Sequence, residues 1–224
     1  MTFSIAARCP TTGMFGLAIS SSSPAVAARC AHVRAGVGAV ATQNITDPTL
    51  GPLGLDLMAR GASASQARDI LVATRPHMDY RQLTLIDASG RTAVFSGSGT
   101  LGQNAVAQGE GVVAAGNLLA HTAVPQLMVE AYLAATGDLG DRLLEALRAG
   151  LAQGGEAGPV HSAGLLLVRA VAWPVADLRV DWDESDPIGA LGRLWAIYQP
   201  QLEAYVERAL DPTGAPRFGV PGDE

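Results

Sequence analysis

The chemistry this sequence offers most directly lies at its second residue. Methionine aminopeptidases accept small second residues, so loss of Met1 leaves Thr2 carrying both a hydroxyl and an α-amine. An unperturbed α-amine has a pKa of about 7.7–8, so part of it is neutral near physiological pH and can take up the hydroxyl proton. Nucleophile and base are then one residue. Many chains begin Met-Thr without consequence, but here Phe3, Ile5 and Ala7 alternate with Thr2, Ser4 and Ala6, which puts the hydroxyl at the start of a strand.

Other chemistries are excluded or weak. All fifteen cationic side chains are Arg, so Schiff-base catalysis, a Walker A loop and a Ser-x-x-Lys pair are ruled out. Cys9 and Cys30 form no Cys-x-x-Cys, and His32, His77, His121 and His161 lack His-x-x-x-His or His-Glu-x-x-His spacing, so no metal site is expected. Gly97-Ser98-Gly99-Thr100-Leu101-Gly102 matches the dinucleotide fingerprint by letter. No helical period follows it and no acidic strand end lies about twenty residues on, so it reads as a glycine-rich hairpin exit and no cofactor is expected. Asp177, Arg179 and Asp181 share one face of an alternating segment and must pair with each other or with a ligand, a structural ion-pair row being favoured.

Composition sets the frame. The 224 residues suit one domain, expected over residues 1–210, with a Pro- and Gly-rich surface tail over 211–224. Hydrophobic residues make up 48% and charged residues 16%, which argues for a packed core. A net charge of −6 without any polybasic run removes nucleic acid and anionic membrane as expected partners. No signal peptide or membrane span is read, and two unpaired cysteines fit a reducing, cytoplasmic setting. Flat sandwich faces with few charges make a homodimer the expectation for assembly.

The elements that must position Thr2 follow from period and punctuation. Thr2–Ala7 and Phe15–Ser20 predict a hairpin about Cys9–Gly13, and 32–35 with 38–42 predict a second. Leu50 to Met58 ahead of Gly61, and a segment capped by Ser63, predict two helices. Arg81–Asp87 and Thr92–Ser96 form a hairpin about Ala88-Ser89-Gly90, and Gly111–Ala115 reads as one more strand. Two helices follow from Val124 and through Leu143 to Leu151, then strands at Leu165–Val168 and Asp177–Val180. A last helix runs from Ile188 to about Arg208, broken at Pro200. Strand groups alternating with helix pairs predict an α+β fold, with helices packed on mainly antiparallel sheets.

Met1 to Arg8, Arg34 to Gln43, Gly116-Asn117 and Asp177 to Asp181 resemble the family called DUF1028, over nearly the whole chain to about Leu210. The resemblance implies the N-terminal nucleophile (Ntn) hydrolase superfamily and its four-layer αββα sandwich. It also implies hydrolysis of a small amide, ureido or peptide-like substrate by Thr2 once Met1 is removed. Asn117 is the candidate oxyanion donor, and Gln43 and Asn44 are candidates for substrate contact. With no lysine available to tune the threonine, His32, Arg34, Ser20 or Ser21 must serve. Asp177 and Arg179 complete the candidate set. The competing expectations are a non-catalytic binding or assembly protein that keeps Met1, and hydrolysis by an internal nucleophile such as Cys9, Cys30 or Ser22.

Overall fold

Alternation of apolar side chains places the first strand, β1 (Thr2–Arg8), with Phe3 and Ile5 fully buried on one face and Ser4 and Ala6 buried on the other. A strand covered on both faces belongs to an inner layer of the fold. The computed structural model describes residues 1–222 and puts β1 there. On one side it pairs with β2 (Phe15–Ser21), through a turn closed by Cys9 N–H donating to the Met14 carbonyl at 2.8 Å.

Downstream come a short helix α1 (Val26–Cys30), the hairpin β3 (Ala31–Arg34) and β4 (Gly38–Asn44), and helices α2 (Leu50–Ala59) and α3 (Ala64–Thr74). Next are strands β5 (Arg81–Asp87), β6 (Thr92–Ser96), β7 (Ala105–Gly109) and β8 (Val112–Asn117), then helices α4 (Val124–Ala134) and α5 (Leu139–Ala152). The chain continues with β9 (Ser162–Val168), β10 (Ala176–Val180), α6 (Pro187–Tyr198) and α7 (Leu202–Leu210). One sheet has the order β10-β9-β2-β1-β8-β7 and the other β3-β4-β5-β6, every pairing antiparallel. α4 and α5 pack on the free face of the first sheet through Met128, Leu143, Leu147 and Phe3. α2 and α3 cover the second through Leu50, Leu71, Leu83 and Leu85. The result is a four-layer αββα sandwich, the α+β architecture expected.

Between the sheets the filling is thin and apolar: Ala6, Leu17, Ile19, Ala39, Ala41, Ile86 and Val113. Small side chains let two sheets approach closely. Helix starts follow local chemistry, with Ser63 and Asp138 each accepting from the backbone N–H three residues on while Gln66 and Asp141 reach back. A 3₁₀ turn at Gln199–Gln201 separates α6 from α7 at the expected proline. Among the described residues no helix is long and apolar enough to cross a membrane.

Two elements lie outside the sequence expectation. β7 carries Ala105-Val106-Ala107, too small to give a readable alternation, and is an edge strand. α1 has five residues, too few to display a helical period, and starts after Ala25 in the left-handed region (φ 53°). The Gly97–Gly102 segment is a loop leading into β7. Gly97 N–H donates to the Arg81 carbonyl (2.9 Å) and Gly99 N–H to the Asp79 carbonyl (2.8 Å), so those amides are already occupied.

Candidate functional site

The inter-sheet layer changes character at the Thr2 end of β1. Thr2 stands opposite Asn117 of β8, and Gln43 of β4 stands opposite Gln82 of β5. Thr2, Ser4, Gln43, Gln82 and Asn117 are all buried, Gln43, Gln82 and Asn117 completely. Ser4 donates to Gln43 Oε1 (2.6 Å), Gln43 Nε2 donates to Gln82 Oε1 (2.8 Å), and Asn117 Nδ2 donates to the same oxygen (3.2 Å). Burying this many amides is tolerable because each finds a partner.

The network fixes its own polarity. Gln82 Nε2 donates to the Gly116 carbonyl (3.1 Å) and the Ser96 hydroxyl (3.0 Å), so its Oε1 must be the oxygen that faces Gln43 and Asn117. Asn117 therefore turns Nδ2 toward Gln82, and its Oδ1 is left buried without a partner. That free group is an acceptor. Of the amide's donors, only the second Nδ2 hydrogen remains for an oxyanion.

The terminus sits against β2. The Thr2 hydroxyl donates to the Met1 carbonyl, which also accepts from the Ser21 hydroxyl, and Thr2 Oγ1 is 3.4 Å from Ser21 Oγ. Ser23 supports Ser21 through its own N–H (3.1 Å) and hydroxyl (2.9 Å). Both Glu156 carboxylate oxygens accept from Ser22 N–H (3.2 and 3.1 Å), and Glu156 is buried in the loop that bridges to Leu119. Burial pushes the Glu156 carboxyl up to about 7, against the opposing pull of the chain's terminal amine and the Ser22 hydrogen bonds. Met1 itself is 37% exposed, so the residue to be removed faces solvent while the hydroxyl behind it does not.

The other expected site residues divide. Ser21 and Gln43 join the polar end. Asn44, with φ 73°, ties loops together: its Nδ2 donates to the Tyr80 carbonyl (2.7 Å) and its Oδ1 accepts from Leu101 N–H (3.2 Å). Ser20 points to the opposite face of β2 and donates to the Ser162 carbonyl (2.9 Å). His32 lies on the outer face of the second sheet, its ring where a Cβ on Gly51 would stand, and burial holds its pKa below the usual value. Arg34 pairs with Asp56 of α2 at 2.9 Å. Asp177 and Arg179 pair with each other (2.8 Å) on edge strand β10, three strands and roughly 14 Å from β1. His32, Arg34, Ser20, Asp177 and Arg179 are thus not brought together with Thr2.

Four residues of the site escaped the sequence reading. Ser4 and Gln82 carried a usable signal, because alternation puts Ser4 on the Thr2 face and makes Gln82 a polar residue at an inward position. Ser23 and Glu156 lie in loops without period and carried none.

A family model, described as "Family of unknown function (DUF1028)", matches residues 2–191. The crystal structure of protein SPO2555 from Silicibacter pomeroyi, described with the same family model, is 30% identical with a TM-score of 0.81, covering 89% of this chain and 88% of that chain. Anbu (ancestral beta-subunit) from Yersinia bercovieri aligns at 13% identity and a TM-score of 0.42, over 91% of this chain and 97% of that chain. An Anbu (Gly-1) mutant from Hyphomicrobium sp. strain MC1 aligns at 12% and 0.40, over 90% and 96%. No curated protein matches the chain.

Proposed function

The chain belongs to the DUF1028 family, and on that premise we propose that it is an amidohydrolase of small amide or ureido substrates whose nucleophile is the Thr2 hydroxyl, freed by removal of Met1. One observation carries the reading: the buried hydroxyl of Thr2 opens the central strand within a cluster of buried polar side chains at one end of the layer between the sheets, behind a single exposed residue. Buried polar groups cost stability unless satisfied, so a cluster with one acceptor left free is an expense that function explains.

In the reaction, Thr2 Oγ attacks the substrate carbonyl carbon while the Thr2 amine takes the hydroxyl proton. The tetrahedral intermediate collapses, the C–N bond breaks, and the ammonium returns the proton to the departing nitrogen. Water then attacks the ester with the same amine as base, and the acid leaves as Thr2 Oγ regains its proton. Ser21 is the nearest donor for the oxyanion, since its hydroxyl already serves a carbonyl oxygen beside Thr2, that of Met1. The second Nδ2 hydrogen of Asn117 is the other, while Asn117 Oδ1 suits an N–H of the substrate or of the Thr2 amine. An ionised carboxylate beside that amine would hold it protonated. Burial favours the neutral form of the Glu156 carboxyl and so lessens the negative charge at the terminus.

A second reading has one observation in its favour. The Met1 carbonyl accepts from both hydroxyls, a fit that a protein retaining Met1 for binding or assembly would also use. Among the internal rivals, Cys30 is buried and its thiol is pushed up by that burial, and Cys9 lies at the far end of β1. The test is intact mass on natively purified protein, followed by an amide and ureido library against wild type, Thr2→Ala and Thr2→Ser. A mass lacking one methionine, turnover lost in Thr2→Ala and partly kept in Thr2→Ser are expected. Undiminished turnover in Thr2→Ala, or by protein that keeps Met1, would overturn the reading.

A further inference from the structure

At the other end of β1, about 20 Å from Thr2 along a seven-residue strand, a cavity of ≈ 280 Å³ opens between the β1–β2 turn, the Ser89-Gly90 turn and α4. Arg8 and Arg142 line it, and neither makes an ion pair among the described residues. Arg142 is fixed in place. Its guanidinium lies 4.1 Å from the Tyr132 ring centroid, and its Nε and Nη2 donate to the Tyr132 carbonyl at 3.3 and 3.2 Å. Tyr132 lines the same cavity, is 1% exposed, and its hydroxyl is buried without a partner. Ser89 also lines the cavity.

Two arginines line the cavity with one acidic side chain, Glu110, exposed at its margin. In a chain of net charge −6, leaving two arginines facing one cavity without carboxylate partners calls for an outside anion. We propose that this cavity is a binding site for a small oxyanion, the carboxylate or phosphate group of a ligand held between Arg8 and Arg142, separate from the Thr2 site. The volume, at the low end for ligand cavities, fits a small metabolite-sized molecule.

The neighbouring thiol reports on the same field. Cys9 follows Arg8. Burial raises its pKa, but the Thr12 hydroxyl, the Thr12 and Thr11 N–H groups and the Arg142 charge outweigh that and hold it below the usual value. Cys30 is buried, so Cys9 is the thiol open to reagents.

The experiment titrates full-length protein calorimetrically with inorganic phosphate and, separately, citrate, against sodium chloride at equal ionic strength. The variants are Arg8→Gln and Arg142→Lys, the latter keeping the charge over Tyr132 but losing the fork. Saturable binding of one equivalent of either anion, weakened at least tenfold in Arg8→Gln and in Arg142→Lys, is expected. Phosphate binding without citrate binding assigns a phosphate-bearing ligand, and the converse assigns a carboxylate. Alkylation of Cys9 gives a second readout that does not depend on how well either variant folds. Negatively charged iodoacetate should gain on neutral iodoacetamide relative to a free thiol, and the bound anion should slow it. Responses that track ionic strength alone, or equal binding in wild type and Arg8→Gln, would overturn the proposal.

Discussion

The two halves of the layer between the sheets are built from the same strands and teach opposite lessons. Ala6, Ala39, Ala41, Ile86 and Val113 fill one half with small and branched apolar groups. Thr2, Ser4, Gln43, Gln82 and Asn117 fill the other, one strand repeat further along β1, β4, β5 and β8. The apolar half obeys the ordinary preference for hydrophobic burial and explains why the sheets associate. The polar half needs every amide oriented by its neighbour and still leaves Asn117 Oδ1 unsatisfied. Stability alone would have made the two halves alike, so the departure marks where the chain does something other than fold.

Replacing Thr2 breaks the comparison at its most sensitive point. Thr2→Ala removes the only proposed nucleophile, and hydrolysis should fall by at least about 10³-fold, while thermal unfolding changes little because the hydroxyl sits at a strand end beside an exposed residue. Single-turnover kinetics on the substrate found by library screening checks this.

Gln82 is the hub of the polar half. In Gln82→Ala, Gln43 Nε2, Asn117 Nδ2 and the Gly116 carbonyl lose their partner together, and a cavity opens between the sheets. A buried polar group left unpaired costs about 1–3 kcal/mol, so a loss of about 4 kcal/mol in unfolding free energy is expected by denaturant titration. A loss under about 1 kcal/mol would mean that the polar half is open to water and is no different from surface.

Glu156 sharpens the comparison through pH. Its carboxyl keeps a proton in the folded protein up to about pH 7, whereas the unfolded chain releases it near 4.5. Between those values the native state binds more protons, so this residue's contribution to stability is present at low pH and is lost as pH rises through the window. Glu156→Gln does not titrate, and the gain of the variant over wild type should grow by about 3 kcal/mol from pH 4 to pH 8. Melting temperatures at the two pH values measure it, and a constant difference would show that the carboxyl is hydrated.

Much of the fold was legible because it rests on period and punctuation. Phe3, Ile5 and Ala7 announced β1, Ser63 announced α3, and Pro200 announced the break between α6 and α7. α1 and β7 were not legible, being too short or too rich in alanine for a pattern to rise above its ends. The site was legible only where it lies on strands. Thr2, Asn117 and Gln43 could be placed, whereas Glu156 comes from a loop 154 residues from Thr2, and nothing local distinguishes it from a surface acid. His32 and Arg34 share β3 near the start of the chain, but strand parity and the helix above them turn both to the outer face. Nearness in sequence says nothing about which layer a side chain enters.

The apolar half supplies the smallest and most discriminating test. Ile86 is fully buried between the sheets and belongs to the same strand, β5, as Gln82, on the same face. Ile86→Val removes one methylene and leaves the surrounding strands in place, which typically costs 0.5–1.5 kcal/mol, so a loss of about 1 kcal/mol is expected. If the two halves divide stability from chemistry, the variant should unfold slightly earlier and turn over the substrate at the wild-type rate, with kcat and KM both unchanged. A fall in kcat from so small a change, four residues along β5 from the hub, would mean that packing between the sheets sets the geometry at Thr2, and that the two halves work as one unit.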